Sequence, residues 1–188
     1  MTTATALDPI KDYQKVTRVG FLLLNNFTMI ALASAIEPLR MANQLSGHEL
    51  CSWHMVSETG SSVSASDGLS FTPDFSIADM PELDLLVVCG GVDITRSFTS
   101  KQVSWLQLMN RRGVTLAGIC TGAYLLAHAG LLDGYDCSTH WECMASLQEH
   151  YPKVNCNNRL FTIDRNRMTR SEERRVGKEC RSRWWPYP

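Results

Sequence analysis

The sequence predicts one α/β domain: a doubly wound, mostly parallel sheet with helices on both faces. Three observations carry that reading. Continuous apolar runs at residues 18–25, 83–89 and 114–118 look like strands covered on both sides. Segments with helical spacing of apolar residues separate them, as a parallel sheet requires. Two of the runs end in glycine-containing turns, Gly90-Gly91 and Gly118-Ile-Cys120-Thr-Gly122. These turns lie at the carboxyl ends of strands, where α/β sheets hold their ligands.

Taken in order, residues 1–17 are polar and irregular and read as a loose leader. After the first strand, Thr28 is placed to cap a helix whose Ile30, Leu32, Ala33, Ile36 and Leu39 recur at helical spacing. Pro38 is expected to kink that helix or end it near Glu37. Residues 53–57 form a second strand, and the Ser- and Gly-rich stretch 60–75 forms turns with short strands. A helix over 101–112 turns Val103, Leu106, Leu108 and Met109 inward. Further helices are expected over 123–129 and 141–150, with a late strand over 159–163. The domain is expected to span residues 18–169. Residues 170–188 fit no element of it. They read either as a basic arm with Trp184 and Trp185 as stacking residues, or as disorder or an appended read-through segment.

With 188 residues, 44% of them hydrophobic and 20% charged, the composition is that of a globular domain with a real core. No apolar run reaches the roughly 20 residues a membrane helix needs, and no secretory signal is read, so the cytoplasm is the expected location. Seven cysteines without a CxxC pair argue against a disulfide framework or a zinc site. The net charge of −1 hides an asymmetry: residues 1–169 carry 12 Lys/Arg against 16 Asp/Glu, and residues 170–188 carry 6 against 3. The body is thus mildly acidic and a poor nucleic-acid surface by itself.

The chemistry centres on Cys120. A nucleophile elbow has small residues at ±2, here Gly118 and Gly122, because its central residue sits on a strained strand-to-helix turn. A cysteine there faces the first amides of a helix, which favour a thiolate. Gly90 and Gly91 could offer a backbone donor that, with the amide of Thr121, holds an anionic oxygen beside Cys120. His140 follows twenty residues later and could complete a Cys–His dyad, or could simply cap a helix. His128, inside the elbow helix, reads as structural. No histidine spacing suggests a metal, and no cofactor is expected.

The motifs Val19-Gly-Phe-Leu-Leu-Leu24, Glu37-Pro-Leu-Arg-Met-Ala-Asn43, Leu85-Leu-Val-Val-Cys-Gly-Gly91, Gly118-Ile-Cys-Thr-Gly-Ala-Tyr124 and Thr139-His-Trp-Glu142 together resemble the class I amidotransferase-like, or ThiJ/PfpI, superfamily. More narrowly they resemble the sensor domain of GlxA-type members of the AraC family of transcription regulators. The resemblance implies a flavodoxin-like or amidotransferase-like sandwich. By the pattern of the superfamily's enzymes, Cys120 and His140 would be the catalytic pair, joined by a Glu near the start of the first helix. Residues 27–32 hold no acid, Glu37 lies almost two turns too late, and the glutaminase-type His-x-Glu arrangement is read as missing.

The resemblance therefore favours a small-molecule sensor over an enzyme. The effector would be an amine, betaine or amino-acid-type metabolite, with Trp141 or Phe27 facing a quaternary ammonium and the Gly91 and Thr121 amides holding a carboxylate. A homodimer is expected, with DNA reached only through a C-terminal domain that the matching region lacks. The alternatives are a Cys-dependent hydrolase, hydratase or glyoxalase-like lyase, and a redox sensor acting through Cys120.

Overall fold

A computed structural model describes residues 15–171. The leader up to residue 14 and the segment 172–188 lie outside the described residues, and so do most of the tail and its basic-arm reading. The central sheet contains β1 (Thr17–Leu23), β2 (Cys51–Ser57), β5 (Phe75–Ser76), β6 (Leu85–Cys89), β7 (Thr115–Ile119), β10 (Phe161–Asp164) and β11 (Arg167–Arg170). Its strand order is β10-β11-β7-β6-β1-β2-β5, parallel throughout except where β10 pairs antiparallel with β11. Two small ribbons accompany it, β3 (Val63–Ser64) with β4 (Ser70–Phe71), and β8 (Asp136–Ser138) with β9 (Asn155–Asn157).

Alternation along the strands makes two cores. Leu22, Val56, Leu86, Val88 and Leu116 point to one face and pack with α2 (Ser100–Arg111), α3 (Gly122–His128) and α4 (Trp141–His150). Val19, Phe21, Met55, Val87 and Ala117 point to the other, under α1 (Met29–Ser46). Both faces thus carry helices, as the apolar runs imply. Among the described residues α1 is the only helix on its face. Phe161 and Ile163, on the far edge, stay 63% and 64% exposed.

The expected elements are present, with boundaries moved by one or two residues. Two readings need correction. Helix α1 is unbroken through Pro38; that residue lies on the solvent side, where the carbonyl freed by the missing N–H can face water. The sequence also gave no sign of β8, β9 or β11. These are three or four residues long and polar, and side chains hold them in place. Ser138 N–H donates to Thr169 Oγ1 (2.8 Å), and the Ser138 and Thr162 hydroxyls meet at 2.6 Å. Arg167, buried at the start of β11, donates to Leu131 O (2.9 Å) and Asn110 Oδ1 (2.6 Å).

At the amino edge of the sheet, Asp84 accepts from the Arg18 main-chain N–H (2.9 Å), Arg18 Nε (3.1 Å) and Lys15 Nζ (2.7 Å). The Arg18 guanidinium, with Lys15, holds the Asp84 carboxyl well below the usual carboxylate range. A depressed carboxyl stabilises the fold above its unfolded value of about 3.9 and loses that contribution as pH falls toward its folded value. Asp84→Asn is therefore expected to lower the melting temperature at pH 7 by about 3 °C, the shift roughly 1 kcal/mol makes in a domain of this size. The gap to wild type should close as the pH is taken well below about 4. A gap that persists at low pH would show that the carboxylate charge is not the cause.

Candidate functional site

The turn between β7 and α3 carries Cys120 at φ 56°, the left-handed region that side chains other than glycine rarely enter. Its neighbours explain how the turn is held. A Cβ on Gly118 would lie 2.7 Å from the Ala123 nitrogen, and one on Gly122 would enter the Val88 carbonyl. The helix thus starts directly against β6 and β7, with no room for a side chain at either flank. This is the strained elbow that the Gly-x-Cys-x-Gly spacing implies. Cys120 is only 5% exposed.

Three segments converge on it. Thr28, the N-cap residue of α1, makes no side-chain cap bond; instead its hydroxyl lies 3.5 Å from Cys120 Sγ. Sequence reasoning took Thr28 as a cap alone, and nothing local to it signals a contact 92 residues away. The second segment is the connection from β8 to α4, where the His140 N–H (3.1 Å) and the Thr139 hydroxyl (3.4 Å) both donate to Cys120 O. The third is Gly90-Gly91, where the Gly91 carbonyl accepts from Thr121 Oγ1 (2.8 Å) and ties the two turns together.

His140 is buried and is the N-cap of α4, its Nδ1 accepting from the Glu142 N–H at 3.4 Å. The Glu142 carboxylate lies 3.7 Å from the same nitrogen. The His-x-Glu spacing, expected to be missing, is present as His140-Trp141-Glu142, and the start of α4 brings the two side chains together. Its geometry is that of a cap. With Nδ1 accepting from a main-chain amide, that nitrogen carries no proton of its own.

The remaining sequence candidates separate. The Gly90 N–H is used by Ile119 O (3.3 Å). Among the described residues no acceptor is found for the amides of Gly91 and Thr121. Phe27 bridges Gly91 and Ala65 and is fully buried in the core of the α1 face, so its ring packs the fold. Trp141 is 58% exposed, with its ring 5.8 Å from that of His140. Thiols crowd the elbow: burial and the Cys120 charge push Cys89 up, and burial, Cys120 and Glu142 push Cys143 up to about 11. His128 bonds the Tyr151 hydroxyl at 2.9 Å, and His54 packs edge-on against Phe75. Among the described residues no three His, Cys, Asp or Glu side chains gather as a metal site.

Comparison with known proteins agrees with this geometry. The DJ-1/PfpI family matches residues 17–172. The chain is 59% identical over 153 residues to the HTH-type transcriptional regulator GbdR of Pseudomonas aeruginosa, covering 81% of this chain and 42% of that protein. It is 37% identical over 154 residues to the regulator GlxA of Rhizobium meliloti, covering 81% and 48%. It thus spans less than half the length of these curated relatives. The crystal structure of an AraC family transcriptional regulator from Pseudomonas putida superposes with a TM-score of 0.76 at 32% identity, over 90% of this chain and 94% of that one. The chain belongs to the DJ-1/PfpI family, in the form that AraC-type transcriptional regulators carry.

Proposed function

We propose that this domain is the small-molecule sensing part of an HTH-type transcription regulator. Its effector would be an amine, betaine or amino-acid-type metabolite. The observation that carries this reading is the partner of Cys120. The elbow geometry is kept, yet the side chain reaching it from the first helix is the neutral hydroxyl of Thr28. A hydroxyl neither takes a proton from a thiol nor stabilises a charged imidazole as a carboxylate does. The high identity to regulators over this same region points the same way.

In this reading the effector's carboxylate rests on the Gly91 and Thr121 amides at the start of α3. Its ammonium group lies against the exposed face of Trp141. The protein works as a homodimer in the cytoplasm, and DNA is bound by an HTH domain outside this sequence. Calorimetry with a panel of amines, betaines and amino acids is expected to find a ligand binding in roughly the micromolar-to-millimolar range. Trp141→Ala should weaken a quaternary ammonium ligand by about fivefold, the loss of roughly 1 kcal/mol of cation–π attraction. No heat with any member of the panel would overturn the reading.

A second reading rests on Glu142. A carboxylate 3.7 Å from His140 could orient the ring and let Cys120 act as a nucleophile in a hydrolase, hydratase or lyase. Against it, Glu142 is 65% exposed and its own main-chain amide occupies the histidine nitrogen it would have to pair with.

A further inference from the structure

Outside the elbow, the β8–β9 ribbon holds a second thiol pair. The two strands run parallel with Cys137 directly opposite Cys156. Register partners on adjacent strands lie roughly 4.8 Å apart, within the about 4.4–6.8 Å between Cα atoms that a disulfide spans. As register partners, their side chains lie on the same side of the ribbon. Both thiols are free. Cys137 is fully buried and Cys156 is half-buried, so Cys156 is the more accessible of the two to a small reagent. The next register pair, Ser138 and Asn157, is held by a 3.1 Å hydrogen bond and by Thr162, which keeps the strands aligned.

We infer that Cys137 and Cys156 form a redox-active dithiol that a hydroperoxide converts to a disulfide. The Cys156 thiolate attacks one peroxide oxygen, the O–O bond breaks, and the leaving oxygen departs as water or an alcohol, giving a sulfenic acid on Cys156. The Cys137 sulfur then attacks the Cys156 sulfur. An S–S bond forms, and the hydroxide released takes the Cys137 proton and leaves as water. Two thiols are oxidised and one peroxide is reduced; with hydrogen peroxide the products are one disulfide and two waters.

The electrostatics agree with this order of attack. The neighbouring Cys156 and burial push the Cys137 thiol up, and the same pairing pulls the Cys156 thiol down. The less buried cysteine is thus the more readily ionised one, as an attacking thiol should be. The ribbon also adjoins the elbow. Cys137 lies three residues before His140, whose N–H and the neighbouring Thr139 hydroxyl both bond Cys120 O. A disulfide would tie that connection to the strand following α4.

The test is peptide mapping by mass spectrometry after the protein is treated with hydrogen peroxide and its remaining thiols are blocked. The expected result is a cross-linked pair of peptides containing Cys137 and Cys156, lighter by two hydrogen atoms than the separate thiols and split by dithiothreitol. Cys120→Ser should form the same cross-link, and Cys156→Ser should lose it. Because Cys137 is buried, Cys137→Ala serves as the second variant: Cys156 should then stop at a sulfenic acid that dimedone traps. Oxidation confined to Cys120, or blocked free thiols at both Cys137 and Cys156 after treatment, would overturn the inference. Neither readout depends on which effector the domain binds.

Discussion

Gly122→Ala is expected to destabilise the domain by about 3 kcal/mol or more, at the upper end of what overpacking costs. In an ordinary helix the same change stabilises by about 1 kcal/mol, because alanine is the better helix former. Here the added methyl has nowhere to go: it would overlap the Val88 carbonyl and approach the Gly90 nitrogen, both backbone atoms at the carboxyl end of β6. Relieving the clash means lifting α3 off the sheet, and α3 carries the fully buried Ala123, Leu125 and Leu126. Gly130→Ala is the control. That glycine has φ +71° and open space around it, so its substitution should cost only the left-handed backbone penalty of about 1–2 kcal/mol. Urea midpoints for the two variants measure the difference. A Gly122→Ala protein as stable as Gly130→Ala would show that the elbow is looser than its geometry implies.

Arg167→Ala should lower stability by about 3 kcal/mol. The side chain is buried, and its guanidinium bonds Leu131 O after α3, Asn110 Oδ1 on α2 and its neighbour Asn166 O. Burial pulls the guanidinium below its usual value, so its charge is carried at some cost and is balanced by neutral oxygens. Removing it strands the buried Leu131 carbonyl, and an unmet buried carbonyl costs about 1–3 kcal/mol. β11 would then lose its tie to both helices. Arg159→Ala, on the exposed loop before β10, should stay within about 0.5 kcal/mol of wild type. Equal denaturation midpoints for the two variants would rule out this anchoring role.

The long buried strands and the helices α2, α3 and α4 were legible because apolar periodicity reports burial directly. Leu85–Cys89 and Thr115–Ile119 have no polar residue but the first threonine of β7. The elbow was legible for a different reason: Gly118 and Gly122 mark close backbone approaches that no other residue permits. What could not be read was held together by polar side chains over long sequence distances. β11 contains Arg167, Thr169 and Arg170 and no apolar alternation, and its place beside β7 depends on Asn110, Leu131 and Ser138. Thr28 illustrates the same limit at the site. Its residue type and position suit a helix cap, and only the fold shows its hydroxyl turned to Cys120. Phe27 shows the reverse. An aromatic residue beside the elbow suits a ligand by type and position, but its side chain is fully buried in the core of the α1 face.

A sensing role for the elbow is separated from a catalytic one by following Cys120→Ser with the same effector by calorimetry and by product analysis. If Cys120 is the floor of a binding pocket, the serine variant keeps the affinity of the wild type to within a few-fold, and neither protein alters the compound. The contrary result is consumption of the compound by the wild-type protein, abolished in Cys120→Ser. That would make Cys120 a nucleophile and His140 with Glu142 its base.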